Sequence, residues 1–210
     1  MPYSSADFVR EFDVSRETLE RLETFDRLLV DASHQFNLIA RSTIDTRWDR
    51  HFRDSAQLLE HLPSERQRIV DLGSGAGFPG IVLAILLANE PAEFFLVESI
   101  GKKTAFLDQV RAELGLQNVR IRRGRIEDQA DLKGDVVIAR ALAALPKLLD
   151  YAAVVGKENR VCIFPKGQHL EEELTTATKY WRMTVESRES RTRSGSQILV
   201  LSDIVRRPER

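Results

Sequence analysis

Four of the chain's eleven glycines fall in one stretch, Val70-Asp71-Leu72-Gly73-Ser74-Gly75-Ala76-Gly77-Phe78-Pro79-Gly80. Glycine admits positive φ and lets another molecule approach the backbone closely. Pro79 suits the first turn of a following helix. Three kinds of ligand use such a loop. A phosphate-cradling P-loop needs Gly-Lys-Ser/Thr after the glycines. Phe78 and Pro79 stand there instead, which excludes it. A dinucleotide fingerprint, G-x-G-x-x-G, matches at Gly75, Gly77 and Gly80, with Glu98 roughly twenty residues on as the ribose acid. The third is S-adenosylmethionine, and Asp71 favours it. A carboxylate just before the first glycine repels a pyrophosphate resting on the next helix N-terminus and suits a cationic or zwitterionic ligand. Glu98 would take the ribose hydroxyls under either reading.

Other residues fall where such a ligand would lie. Arg140 follows the apolar run DVVI, so it lands at a strand's end and is expected to contact the donor. Ile126 and Glu127 follow a third strand, where an apolar side chain and backbone groups can hold an adenine ring. Phe78 is expected either over the donor or in the core. His51 and Ser55, four apart, share a helix face, and Asp54 lies on the same helix. As residues alone these read equally as an interhelix polar cluster. The single cysteine, Cys162, lies in the apolar run RVCIF and reads as a small buried hydrophobe. No Asn/Asp-Pro-Pro-aromatic motif, the device of amine-directed nucleobase methyltransferases, follows the fourth strand. That place reads Ala139-Arg140-Ala141-Leu142.

The elements that must position these groups follow from periodicity. Leu19, Leu22, Phe25, Leu28 and Leu29 recur at helical spacing behind Ser15 and Thr18. A second helix is expected from Ser42 or Thr43 through Trp48, Phe52 and Leu58 to Leu62, ended by Pro63. From Arg68 short apolar runs alternate with helical stretches. RIVDL, EFFLVES, NVRIRRG, DVVIARA and RVCIF read as strands. GIVLAILLAN, KKTAFLDQVRAELG, LPKLLDYAAVV and LEEELTTATKYW read as helices. RMTVESRES and SQILVLSD close the chain as an antiparallel hairpin around Ser194-Gly195. Such alternation predicts an α/β fold with a doubly wound, mostly parallel sheet and helices on both faces. Ligands of that fold bind outside the C-terminal strand ends. The expected organisation is an N-terminal helical cap, residues 1–63, and a Rossmann-like domain, 64–210, as one compact unit.

The bulk numbers fit this picture. A chain of 210 residues with net charge −1 suits one domain of ordinary size and shows no global nucleic-acid field. One cysteine allows no internal disulfide. The N-terminus has no apolar signal core, and the longest apolar run, Ile81 to Ala88, is too short to span a bilayer. The expectation is a cytoplasmic, monomeric protein with no membrane partner and no metal.

Several pieces together resemble the bacterial small-subunit rRNA methyltransferase family RsmG, also called GidB. They are FNLIA at Phe36–Ala40, RHFRDSAQLL at Arg50–Leu59 and VDLGSGAGFPGIVLA at Val70–Ala84. They continue with LVESIGKKTAFL at Leu96–Leu107, GRIED at Gly124–Asp128, ARALAAL at Ala139–Leu145 and PKGQ at Pro165–Gln168. The resemblance implies a Rossmann-like, S-adenosylmethionine-dependent enzyme methylating guanine N7 in 16S rRNA, within a hairpin near the decoding centre. The partner is that RNA, free or in the small ribosomal subunit. Guanine N7 carries an exposed lone pair, so its methylation needs no general base and no covalent nucleophile.

On this resemblance the candidates for the chemical step are Asn37, His51, Asp54, Arg140 and Lys166. Asp71, Gly73, Ser74, Gly75, Gly77 and Phe78 would hold the donor from the glycine loop. Glu98, Ser99, Ile126, Glu127 and Arg140 would hold it from neighbouring strand ends. Lys102, Lys103, Arg123, Arg125 and Lys166 would contact RNA. Arg120 and Arg122 cluster around the third strand, and Arg41, Arg47, Arg50 and Arg53 could extend the patch from the cap. Two other readings stay open. A methyltransferase for a small molecule or a protein predicts a closed pocket without a basic face. A nucleotide-sensing module without chemistry predicts NAD binding.

Overall fold

The computed structural model describes residues 2–208. Seven strands form one sheet: β1 Arg68–Leu72, β2 Glu93–Glu98, β3 Val119–Arg123, β4 Gly134–Ala139, β5 Gly156–Lys166, β6 Trp181–Glu189 and β7 Gln197–Arg206. Their order is β3-β2-β1-β4-β5-β7-β6. β7 runs antiparallel to both its neighbours, and the remaining pairs are parallel. The chain leaves β1 on one side for β2 and returns on the other side for β4. The switch point therefore lies beyond Leu72 and Ala139, where the glycine loop and Arg140 emerge.

The central strands are buried on both faces, so their residues divide by alternation. Ile69 of β1 joins one apolar cluster, while Val70 and Leu72 join the other. The second cluster lies under α6 (Leu145–Val155) and α7 (Leu170–Ala177). The first lies under α4 (Gly80–Leu86), α5 (Gly101–Glu113) and the N-terminal helices. α5 stops where Gly115 takes φ +62, the left-handed turn that glycine admits.

α4 explains why the N-terminal helices are needed. Its sequence, GIVLAIL, has no polar face, and six of its seven residues are buried. A helix apolar all round needs cover on every side. The sheet covers one side; α2 (Arg16–Gln35) and the segment after it cover the other, with α1 (Ser5–Phe12) packed outside them. Phe8, Phe25 and Phe52, all fully buried, belong to the same cluster as Ile81 and Leu83 of α4. The cap helices begin on local signals. Ser4 and Asp7 form a reciprocal capping box at α1, and Ser15 Oγ accepts from the Thr18 amide at α2.

The region expected as one helix from Ser42 to Leu62 is built differently. Arg41–Thr43 is a tight turn, Trp48–Arg53 a widened π-helical turn, Asp54–Ala56 a single α-helical turn (α3) and Gln57–His61 a tight turn again. Widening has a local reason. It brings Trp48 and Phe52 into a stack at 4.4 Å. It also leaves the Arg50 carbonyl available to a partner outside the helix, and Arg140 Nη1 donates to it at 3.0 Å.

Because cap and sheet share one apolar cluster, Phe52→Ala should destabilise the whole protein by about 3–5 kcal/mol. Urea unfolding followed at once by tryptophan fluorescence, with Trp48 in the cap and Trp181 in β6, and by far-UV circular dichroism should shift as a single transition.

Candidate active site

A cleft of about 610 Å³ opens at the switch point. Its floor is the glycine loop and the end of β4. Its walls come from the bent segment, the end of β5 and the β6–β7 loop.

The glycine loop is fixed by its own backbone. Gly73 has φ +63, and a Cβ there would stand 2.7 Å from Leu142 Cδ1. An alanine would meet both a left-handed strain of about 1–2 kcal/mol and that clash. The Ser74 amide donates to the Val97 carbonyl at 3.1 Å. The Gly75 amide donates to Glu98 Oε2 at 3.0 Å, and the Ile100 amide to Glu98 Oε1 at 2.8 Å. Glu98 thus joins the loop to the start of α5, with Ser99 exposed beside it. Gly77 is backed by Ile81 and Leu107 and faces away from the cleft.

Asp71 is fully buried beneath the loop. Its Oδ2 accepts the Gly80 amide at 3.2 Å, and a Cβ at Gly80 would stand 2.6 Å from that same oxygen. Its Oδ1 has no hydrogen-bond partner. Burial pushes the carboxyl up to about 7. An unspent acceptor under a loop of positive-φ glycines fits a cationic or zwitterionic ligand and opposes a pyrophosphate. The donor set therefore fits S-adenosylmethionine.

Arg140 is the hub of the opposite wall. Its Nη1 donates to the Arg50 carbonyl and, at 3.3 Å, to Asp54 Oδ2. Its Nη2 donates to His51 Nδ1 at 2.9 Å, and its guanidinium lies 5.2 Å from the Phe78 ring centre. The His51 ring stacks on Phe78 at 5.1 Å. These contacts settle the histidine tautomer. Arginine only donates, so Nδ1 must accept. Nε2 therefore carries the proton and donates to Thr43 Oγ1, 2.8 Å away, whose own hydrogen goes to the Ala40 carbonyl at 2.7 Å. Burial, then the charges of Arg140 and Arg50, push the ring's pKa down to about 3. His51 is a neutral, oriented ring with both nitrogens engaged. Ser55, expected on its face, is buried and donates to the His51 carbonyl at 2.6 Å, away from the cleft. Phe78 is packed rather than open, 5.2 Å from Phe25 and 5.3 Å from Phe52.

Lys166 lines the cleft but is not a surface cation. Only 9% of its side chain is exposed; its Nζ sits 2.5 Å from Glu173 Oε2 and 3.2 Å from the Ala143 carbonyl. Glu173 also accepts the Leu145 amide at 2.6 Å, so the pair fastens the turn from β4 to α6. In that turn Ala141 holds φ +52, a left-handed conformation rare for alanine and found next to functional groups. Glu173 and Thr43 carried no signal in the sequence, because their partners lie on other elements or a turn away.

Several predicted residues are not brought to the cleft. Asn37 is exposed on a shallow recess with Leu38 to Arg41 that adjoins the cleft through Leu38 and Ile39. Ile126 is buried in the second apolar cluster, and Glu127 lies 3.8 Å from Lys147 on the surface. Of the basic residues, Lys103 lines the cleft; Lys102, Arg123 and Arg125 are exposed near it at the C-terminal strand ends. Arg120 belongs to the other end of β3, paired with Glu93 at 3.5 Å, and Arg122 is held by both oxygens of Asp131 at 2.9 Å. Arg47 and Arg53 are spent inside the cap on Asp26 and on Glu11 and Asp49. Cys162 is buried, and burial pushes its thiol up to about 12, which leaves no thiolate nucleophile.

A doubly wound sheet of this strand order, with an acid-backed glycine loop at its switch point, defines a Rossmann-like methyltransferase. Solved structures agree on the fold. An S-adenosylmethionine-dependent methyltransferase from Aquifex aeolicus superposes with TM-score 0.58 at 16% identity, covering 75% of this chain and 92% of that one. M. jannaschii TYW2 in complex with AdoMet gives TM-score 0.55 at 19% identity, covering 80% and 78%. The family is shown by sequence: residues 18–198 match the model of GidB, rRNA small subunit methyltransferase G, and the chain belongs to that family. It is 45% identical to ribosomal RNA small subunit methyltransferase G of Rhodospirillum centenum, over 98% of this chain and 93% of the relative. The enzyme of the same name from Cereibacter sphaeroides is 46% identical, over 91% and 93%.

The His51 geometry has a measurable consequence for stability. Unfolded, the ring protonates near pH 6.5; folded, only near 3. Below 6.5 the unfolded chain binds the extra proton, so the stability from His51 is full above that pH and is lost as pH falls towards 3. Asp71 has the opposite sign: its folded carboxyl titrates near 7 against 3.8, so its contribution is full below 3.8 and is lost as pH rises through 7. Urea unfolding at a series of pH values should therefore show a smaller acid-side loss for His51→Gln than for the parent chain.

Proposed function

We propose that this protein transfers the methyl group of S-adenosylmethionine to N7 of a guanosine in small-subunit (16S) rRNA, as a monomer in the cytoplasm. Membership of the GidB family supports the substrate class. The observation that carries the acceptor atom is the state of the groups around the donor loop. His51 has both nitrogens engaged, Asp54 is paired with Arg140 and Glu173 with Lys166. None of these paired groups is free to take a proton, and N7 has none to give. An exocyclic amine or a ribose hydroxyl would need such a base.

When bound, S-adenosylmethionine supplies a methyl group that N7 takes through its own lone pair, with the C–S bond breaking and no proton released. The protein's part is positioning. Asp71, the glycine loop and Glu98 hold the donor side. Arg140, His51 and Phe78 form a rigid wall that fixes the approach of the base. Asp54, paired with Arg140, holds that wall in place beside the donor loop. A small-molecule acceptor would fit a closed pocket, whereas this cleft is open and its rim is basic.

The test uses labelled S-adenosylmethionine and small ribosomal subunits from cells lacking the enzyme. Label should enter the RNA, and borohydride/aniline treatment should cut it at one site. Label without cleavage would move the acceptor to another atom; no label, with donor binding intact by calorimetry, would discard the RNA substrate. Arg140→Ala should lower kcat/KM by at least about 100-fold, because the wall that aims the base would loosen.

A further inference from the structure

Resting on the RNA reading above, we infer that the β6–β7 loop is an RNA-positioning arm and that Arg193 on it binds a backbone phosphate. Charge pairing in the cleft is the first observation. Five lysines and arginines line it, with two carboxylates, Asp54 and Glu173. Both carboxylates are spent, on Arg140 and Lys166. The other three cations, Arg50, Lys103 and Arg193, have no carboxylate in ion-pair range among the described residues. They come from three elements: the bent segment, the start of α5 and the β6–β7 loop. Three uncompensated cations around one cleft fit a polyanion that touches several walls at once, as a folded RNA does.

The second observation is that the loop is seated rather than loose. Thr192 Oγ1 donates to Asp54 Oδ1 at 2.6 Å. The Arg191 amide donates to Gln57 Oε1 at 2.9 Å, and Gln57 Nε2 donates to Ser190 Oγ at 3.2 Å. Arg191 itself reaches Glu60 at 2.5 Å. These bonds span more than a hundred residues of sequence and hold the loop against the cap. Asp54 is shared: its other oxygen accepts from Arg140. One carboxylate thus sets the distance between the wall beside the donor and the arm at the rim. Arg193, exposed beside that anchor, is placed to fix where a phosphate lies relative to the reacting base. It is a substrate-positioning residue, not a catalytic one.

The experiment compares the parent protein with Arg193→Ala and Arg193→Lys. Binding of a labelled 16S rRNA transcript is followed across a KCl series, methylation of small subunits gives KM and kcat, and calorimetry gives donor affinity. The expected result is a slope of log K against log salt that is shallower by about one for Arg193→Ala and restored by lysine. KM for the subunit should rise roughly three- to tenfold, with kcat and donor affinity unchanged. An unchanged slope and KM in Arg193→Ala, in a preparation whose parent methylates RNA, would overturn the role of Arg193 alone. Weakened donor binding in Arg193→Ala would place the residue at the donor pocket and also overturn it. A parent protein that neither methylates nor binds the transcript would instead overturn the RNA reading itself.

Discussion

A guanidinium held in low-dielectric surroundings is the constraint on which the arrangement depends. Arg140 stands at the end of a central strand with 18% of its side chain exposed. Taking a charge that far out of water costs several kcal/mol unless its donors are met. They are met by Asp54, the Arg50 carbonyl and His51, all supplied by the bent cap segment. The cap cannot slide without stranding the charge. Arg140 in turn fixes which nitrogen of His51 carries a proton, and the imidazole stacks on Phe78 of the glycine loop. Strand end, cap and loop are locked through one residue.

This lock separates two electrical regions. Beside the donor loop Arg140 is paired with Asp54 and Lys166 with Glu173, and both nitrogens of His51 are engaged, so these groups orient without exchanging protons. At the rim cations are left over. The division suits a nucleophile that already owns a lone pair and a substrate that is a polyanion. Asp71 belongs to neither region. It lies beneath the loop with one oxygen spent on the helix amide that follows and one unspent.

The architecture after Arg68 was legible because it rests on local signals. Alternating apolar runs, a helix-ending Gly115 and a glycine cluster after β1 are near-neighbour facts. The antiparallel closing hairpin read equally well. The bent segment did not. A π-helical turn leaves no periodic signature over six residues, and the arginine that its Arg50 carbonyl accepts from stands ninety positions away. Lys166 read as a surface cation because Glu173 approaches it only once α7 is packed. Arg120 and Arg122 read as part of a patch because their partners, Glu93 and Asp131, approach them only in the folded chain.

By itself, then, the sequence determined the sheet, the loop at its switch point and the acid before it, since backbone periodicity and turn chemistry are set within a few residues. It also determined that α4 must be covered on all sides, since an apolar helix face cannot stay in water. Only the tertiary structure decided which charges are spent and which remain. Charge pairing is a matter of a few ångströms between groups far apart in the chain. Asp54 reaches Arg140 and Thr192 across 86 and 138 positions. No spacing rule encodes those distances; packing the cap onto the sheet does.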